Sequence, residues 1–221
     1  PCNFELQERL IQEIRKEFGE PRDRKDMITD LEAVDSLPYL EALFQENSRL
    51  HALIPGAEPR IVDKPYKVQL LEKNAAIIPP GTTILCQPFS IQRVEEVFPN
   101  TESFQPDRWL QYPEENDQEY RQRLVCQQRY MMPFGKGIRM CLGMNLAMIE
   151  MKLAMVNIYW HYRSRICPSW CKITPADEAQ PIKLGSWNQG KNETDEERMV
   201  MVDTYTTRPL NDECWLQWYD I

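Results

Sequence analysis

The chain has 221 residues, of which 42% are hydrophobic and 27% charged, and its formal net charge is -8. That length supports one or two ordinary domains with a sizeable core, and the acidic balance argues against nucleic acid as a partner. Seven cysteines, an odd number in a chain this long, argue against a small secreted disulfide scaffold.

The first periodic segment is FELQERLIQEIRKEFGE. Its apolar residues Phe4, Leu6, Leu10, Ile11, Ile14 and Phe18 predict an amphipathic helix that Gly19 stops. SLPYLEALFQENSRLH predicts a second helix, with Ser36 as its cap and Pro38 in its first turn, broken by IPGAEP. From Arg60 to about Ile91, YKVQLLE and TTILCQPFSI carry strand-forming residues, and Pro79 to Gly81 predict the turn between them. VEEVFPNTESFQPDRWL reads as a short helical piece followed by an irregular meander, and PEENDQEYRQR as a charged, exposed insertion. GMNLAMIEMKLAMVNIYWHY predicts a long apolar helix starting just after Cys141. Glu150 and Lys152 interrupt its run, so it is expected to be a buried helix and not a membrane span. The stretch from about Arg165 to Glu197 is polar and loop-like, and RMVMVDTYTT and CWLQWYD read as two strands around RPLND. With no repeat and no alternation of strand and helix, the expected fold class is mainly α with small β-sheets, α+β.

Several chemical signals are weak. CPSWC, from Cys167 to Cys171, is a lone pair with no second pair or nearby histidine, so it makes a poor zinc site. His51 and His161 match no ligand spacing and read as packed or solvated. Asn192 in NET fits a glycosylation acceptor, but no signal peptide accompanies it.

Three stretches carry more. Glu46 and Arg49 in ENSR share a helix face, and a pair of that kind is by default a surface salt bridge. Arg108 in FQPDRW could reach the same carboxylate, making a buried network that marks fixed geometry more than stability. Cys141 lies in PFGKGIRMCLG directly before a helix, where unpaired N–H groups and the dipole favour a thiolate. Taken alone, that cysteine could be a core thiol, half of a disulfide, a zinc ligand, a nucleophile or a haem ligand. Gly137 suits a turn that other residues resist, Gly143 allows a close approach, Arg139 offers a cation for an anionic group, and Phe134 offers a shield. Together these describe an axial haem ligand well.

FGKGIRMCLG resembles the haem-binding signature of the cytochrome P450 family, FxxGxRxCxG, at Phe134, Gly137, Arg139, Cys141 and Gly143, with Gly135 at a commonly glycine position. ENSR resembles the family's ExxR on helix K, and FQPDRW its PERF-type segment, in the family's order. NLAMIEMKLAM looks like helix L, and the closing DTYTTRPLNDECWLQW is similar to fungal members. The resemblance spans residues 1–221 as the part of the fold from about helix J to the C-terminus. It implies haem b held by Cys141 as proximal thiolate, with Arg139 and Arg60 at its propionates and Phe134 shielding the sulfur. It also implies Glu46, Arg49 and Arg108 as a bracing triad, and Ile54, Pro55, Gly56 and Ala57 in a substrate-facing loop.

The activity so implied is a monooxygenase that inserts oxygen into a small organic substrate, using O2 and electrons from a separate reductase. The oxygen-activating helix I, with its acidic-plus-threonine pair, and the N-terminal anchor are expected to fall outside residues 1–221. A chain starting at Pro1 suggests a processed product or a fragment. A full-length eukaryotic parent would be held at the endoplasmic reticulum. The competing expectation is a fragment without turnover, or a partner-binding remnant, because an uncovered apolar surface favours association.

Overall fold

The computed structural model describes residues 4–69, 75–170, 201–204, 206–209 and 213–221. Helix α1, Phe4–Phe18, turns its apolar stripe inward through Leu10, Ile11 and Ile14. It ends where Gly19, at φ 76°, donates its N–H to the Arg15 carbonyl at 2.9 Å. A short helix not anticipated from the sequence, α2, Leu31–Asp35, is capped by the Asp30 carboxylate, which accepts the Ala33 N–H at 3.0 Å.

Helix α3, Pro38–Leu50, begins at a different cap from the one expected. Leu37 is its N-cap residue and has no side-chain bond, while Ser36 closes α2 and donates its hydroxyl to the Ala33 carbonyl. The open N–H groups of α3 are instead met from outside. The Glu13 carboxylate on α1 accepts from Tyr39 N–H at 2.8 Å and from Leu40 N–H at 2.9 Å. A carboxylate at a helix N-terminus satisfies orphan donors and meets the positive dipole end, so this contact locks α1 to α3.

Among the described residues the strands form four separate antiparallel pairs, joined differently from the expectation. β1, Glu58–Ile61, pairs with β4, Thr83–Cys86, and inside that pair β2, Tyr66–Gln69, pairs with β3, Ala75–Ile78. YKVQ and TILC therefore do not partner each other. The turn at Gly81, φ 83°, leads from β3 into β4. Residues Pro88–Ile91, expected to extend a strand, form a helical turn, α4, with Pro88 in its first turn. Residues 92–110 wind irregularly and finish in a 3-10 turn at Pro106–Trp109.

The charged PEENDQEYRQR stretch is mostly a regular helix. α5, Asp117–Tyr130, starts with a capping box: Asn116 accepts from Gln118 and Glu119 N–H, and Glu119 accepts from Asn116 N–H. Arg123 anchors it, donating to the Leu110 carbonyl at 2.7 Å, to the Arg108 carbonyl and to Glu115.

Helix α6, Met144–His161, packs its second half on α1 and α2, burying Val156, Tyr159 and Trp160 with Leu10, Ile11, Ile14 and Leu40. Its first half departs from the expectation of a buried helix, since Leu146 and Met151 are exposed. Lys152 is buried, and its ammonium meets Asp35 at 2.5 Å and Glu41 at 2.6 Å, which explains how a charge sits in the apolar run.

β5, Tyr162–Ile166, pairs with β8, Leu216–Asp220, while β6, Met201–Thr204, pairs with β7, Thr206–Pro209. The two C-terminal segments expected to flank one turn thus belong to different sheets. Asn192 and Cys171 lie outside the described residues. The fold is mainly helical with small antiparallel sheets. Among the described residues, no helix is long and apolar enough to cross a membrane.

Candidate functional site

Glu46 and Arg49 sit one turn apart on α3, both at 0% side-chain exposure. The Glu46 carboxylate accepts from Arg49 Nε at 2.9 Å and Nη2 at 2.8 Å, and from Arg108 Nε at 3.1 Å. It also accepts from the Gln105 N–H at 2.9 Å and from the Trp109 indole at 2.9 Å. Arg108 is 4% exposed and donates through both Nη atoms to the Pro99 carbonyl at 3.1 Å. The default surface-pair reading of ENSR is therefore replaced by a fully paired buried network. That completeness is what lets three charges sit without water.

Two members of this network were not singled out by the sequence: Gln92, outside any motif, and Trp109, at the end of FQPDRW. Gln92 donates to the Ser48 and Arg49 carbonyls at 2.9 and 3.0 Å, and its Oε1 accepts the Met132 N–H at 3.0 Å. The end of α3 is thus tied to the residue just before Pro133. Trp109 packs with Ala42, Phe98 and Met131 in a second small core under the network. A buried glutamine amide bridging two backbones leaves no spacing to detect. A tryptophan in FQPDRW reads only as apolar.

His51, which the sequence leaves as packed or solvated, is packed at the end of α3. Burial and the neighbouring Arg93 and Arg49 guanidiniums push its imidazole down to about 4. It is therefore neutral at pH 7. His161 is held by the Asp26 carbonyl at 3.0 Å. Among the described residues, no group of three or more His, Cys, Asp or Glu is placed to hold a metal ion.

The Cys141 loop is built from backbone. Gly135 and Gly137 adopt φ 74° and 72°, a region that costs other residues about 1 kcal/mol or more. The Cys141 N–H donates to the Phe134 carbonyl at 2.9 Å, closing the loop, and α6 starts at Met144. The Cys141 thiol is free and exposed. Its neighbours Ile138 and Leu142 are fully exposed, and Met140 and Leu146 are exposed as well. A side chain at Gly143 would meet only Cys141 Sγ, at 4.0 Å. The space there is left open by the described chain.

Arg139 is exposed in the same loop, and among the described residues no carboxylate pairs with it. Arg60 lies on β1, donating to the Pro59 carbonyl at 2.8 Å and meeting Glu58 at 3.4 Å. Phe134 is half-buried. In the Ile54 to Ala57 stretch, Ile54 and Ala57 are exposed, Gly56 is half-buried and Pro55 is buried. Thr207 on β7 holds this stretch, donating its N–H to the Leu53 carbonyl at 2.8 Å and its hydroxyl to the Ala52 carbonyl at 2.5 Å. Chemically, the loop presents an exposed sulfur donor at a helix start, apolar flanks and the Arg139 guanidinium, and β1 carries a second guanidinium, Arg60, able to bind a carboxylate.

The family model described as Cytochrome P450 matches residues 3–186. Curated relatives include Cytochrome P450 monooxygenase BOT1 of Botryotinia fuckeliana, 32% identical over 150 residues, 67% of this chain and 26% of the relative. Cytochrome P450 monooxygenase hkm5 of Aspergillus hancockii is 29% identical over 161 residues, 72% of this chain and 28% of the relative. Indolin-2-one monooxygenase of Zea mays is 30% identical over 161 residues, again 72% of this chain and 28% of the relative. The matched stretch therefore spans 26% to 28% of the length of these relatives.

Proposed function

The chain belongs to the cytochrome P450 family, and from that premise we propose that it carries the thiolate side of a haem monooxygenase site, in which Cys141 would hold the iron of a haem b. When bound, the haem supplies reductive activation of dioxygen and transfer of one oxygen atom to a C–H bond of a small organic substrate. Electrons come from a separate reductase.

The chain's own residues ligate, orient and exclude water. Cys141 offers its sulfur from a loop that the Phe134 carbonyl holds closed at 2.9 Å. Helix α6 begins three residues later, at Met144, so the sulfur sits just ahead of the helix start. Arg139 and Arg60 hold the carboxylate side chains of the cofactor through charge-assisted hydrogen bonds. Ile138 and Leu142 would give the macrocycle an apolar seat, Gly137 and Gly143 would let it approach, and Phe134 would help shield the sulfur once the cofactor covers the loop. Glu46, Arg49 and Arg108 brace α3 against the meander, and Gln92 passes that rigidity to Met132, directly upstream of the loop. Ile54 and Ala57 meet substrate, with Pro55 and Gly56 shaping the turn between them.

The observation that carries the reading is the setting of Cys141: an exposed thiol at the head of an 18-residue helix, with fully uncovered apolar neighbours on either side. The test is a reduced, carbon-monoxide difference spectrum of the haem-reconstituted chain, with Cys141→Ala beside it. A strongly red-shifted band, lost in the variant, is the expected result. A band that survives the substitution rules out Cys141 as ligand, and no band in the parent chain rules out thiolate ligation by these residues alone. The uncovered Ile138, Leu142 and Leu146 also favour a second reading, a chain that binds a partner through this face without turnover. In that case the chain associates and no band forms.

A further inference from the structure

We propose that Glu58 is a positioning residue that couples Arg60 to the turn at Gly135, and so holds β1 against the Cys141 loop. β1 begins at Glu58, which lies opposite Cys86 of β4. Both residues lie beside the segment leading into Cys141. Cys86 Sγ is 3.4 Å from Met132 Sδ. Both carboxylate oxygens of Glu58 lie 3.6 Å from where a side chain at Gly135 would begin, with the Arg139 carbonyl oxygen 3.7 Å from the same point. Gly135 is required by its φ of 74°, and the Glu58 carboxylate lies at ordinary contact distance from the position its side chain would take.

The charge of that carboxylate needs a partner. Lys136, in the same loop, is already engaged, its ammonium donating to the Gln128 and Arg129 carbonyls at 2.8 Å each. Arg60 is the cation at hand, with Nη2 3.4 Å from Glu58 Oε2. The pair is asymmetric: the Glu58 side chain is 19% exposed and that of Arg60 is 48%. The acid is held inside against the loop, and the guanidinium fans outward. Glu58 takes Nη2 of the guanidinium and the Pro59 carbonyl takes Nη1 at 2.8 Å, which restrains the group at both ends and leaves other N–H donors for a further acceptor. An acid beside a site for carboxylate groups is repulsive unless it serves to aim the cation. This geometry gives it that role. Its functional consequence, a pre-aimed Arg60 for an anionic cofactor group, rests on the reading of the site given above.

The test is a double-substitution cycle, Glu58→Gln, Arg60→Gln and both together, read by amide hydrogen exchange at Gly135 and Cys141 in the whole chain. The Cys141 N–H reports loop closure through its bond to Phe134. Each single change is expected to speed its exchange about two- to fivefold, the range of a partly exposed ion pair, and the double change by no more than the larger single one. A silent Arg60→Gln, or effects that multiply, would leave Glu58 as simple packing and overturn the coupling. In parallel, ferric haem is titrated into the parent and into Glu58→Gln, which is expected to weaken uptake while retaining shape. Equal uptake by the two removes the aiming role. If the parent takes up no haem through Cys141, the monooxygenase reading fails while the exchange cycle still decides the coupling.

Discussion

Substituting Glu46 by glutamine tests the network under α3 most directly. The substitution keeps the side chain's size and removes its charge. In the parent, one carboxylate accepts from two buried guanidiniums, one indole and one backbone N–H. Glutamine leaves the charges of Arg49, at 0% exposure, and Arg108, at 4%, without a counter-ion, and it turns a donor NH2 toward other donors. Breaking a buried pair by removing one partner costs about 3–5 kcal/mol. Against a total stability of about 5–15 kcal/mol, that is about a fifth of the fold or more. The assay is urea unfolding followed by tryptophan fluorescence, for which Trp109 sits in the network itself. With a slope of about 2 kcal/mol per molar, the midpoint falls by about 2 M. Glu20→Gln, at the Arg15–Glu20 pair of 3.1 Å where the acid is well exposed, serves as control and is expected to shift the midpoint by less than about 0.3 M. A Glu46→Gln shift no larger than the control would mean that the carboxylate is hydrated, and the argument from burial would be wrong.

His51 predicts a pH dependence. Its folded pKa is depressed to about 4 from an ordinary 6.5, so the unfolded chain takes up the proton first as pH falls. Stability from this group is fully present above pH 6.5, declines by about 1.4 kcal/mol per pH unit in the window, and is lost by about pH 4. His51→Gln should flatten that part of the stability profile, and an unchanged slope between pH 6.5 and 4 would contradict it. Two glycines of the loop should separate conformational from spatial demands. Gly137→Ala, at φ 72° with open space around it, should lower the melting temperature through about 1 kcal/mol of backbone strain. Gly143→Ala, at φ -86° and meeting only Cys141 Sγ at 4.0 Å, should leave the cofactor-free melting temperature unchanged while lowering haem uptake. Equal melting losses in the two variants would refute that distinction.

Helices α1 and α3 were legible because each repeats apolar residues at helical spacing and has its stop written beside it, as with Gly19 after α1, while α6 was legible from the length of its apolar run. The order ENSR, FQPDRW, FGKGIRMCLG was legible for another reason. A sulfur donor at a helix start needs particular residue types at fixed separations, and local backbone geometry imposes those separations whatever lies around them. The charged α5 was missed as a helix because its signal is a capping box and the Arg123 anchor, not an apolar stripe. Ser36 looked like a cap because sequence shows which residues can cap. It does not show that Glu13 from another helix already meets those donors.

What the sequence by itself determined was local: which segments coil, and which loop presents the thiol. Only the tertiary structure decided the pairings that span distance. Those are the partners of the described strand pairs, the five hydrogen bonds that converge on Glu46, the bridge of Gln92 to Met132, and the approach of Glu58 to Gly135. The physical reason is that backbone preference and amphipathic spacing act over a few residues. Strand pairing and the pairing of buried charges depend on which groups burial brings together once the chain has closed, and sequence separation carries no trace of that.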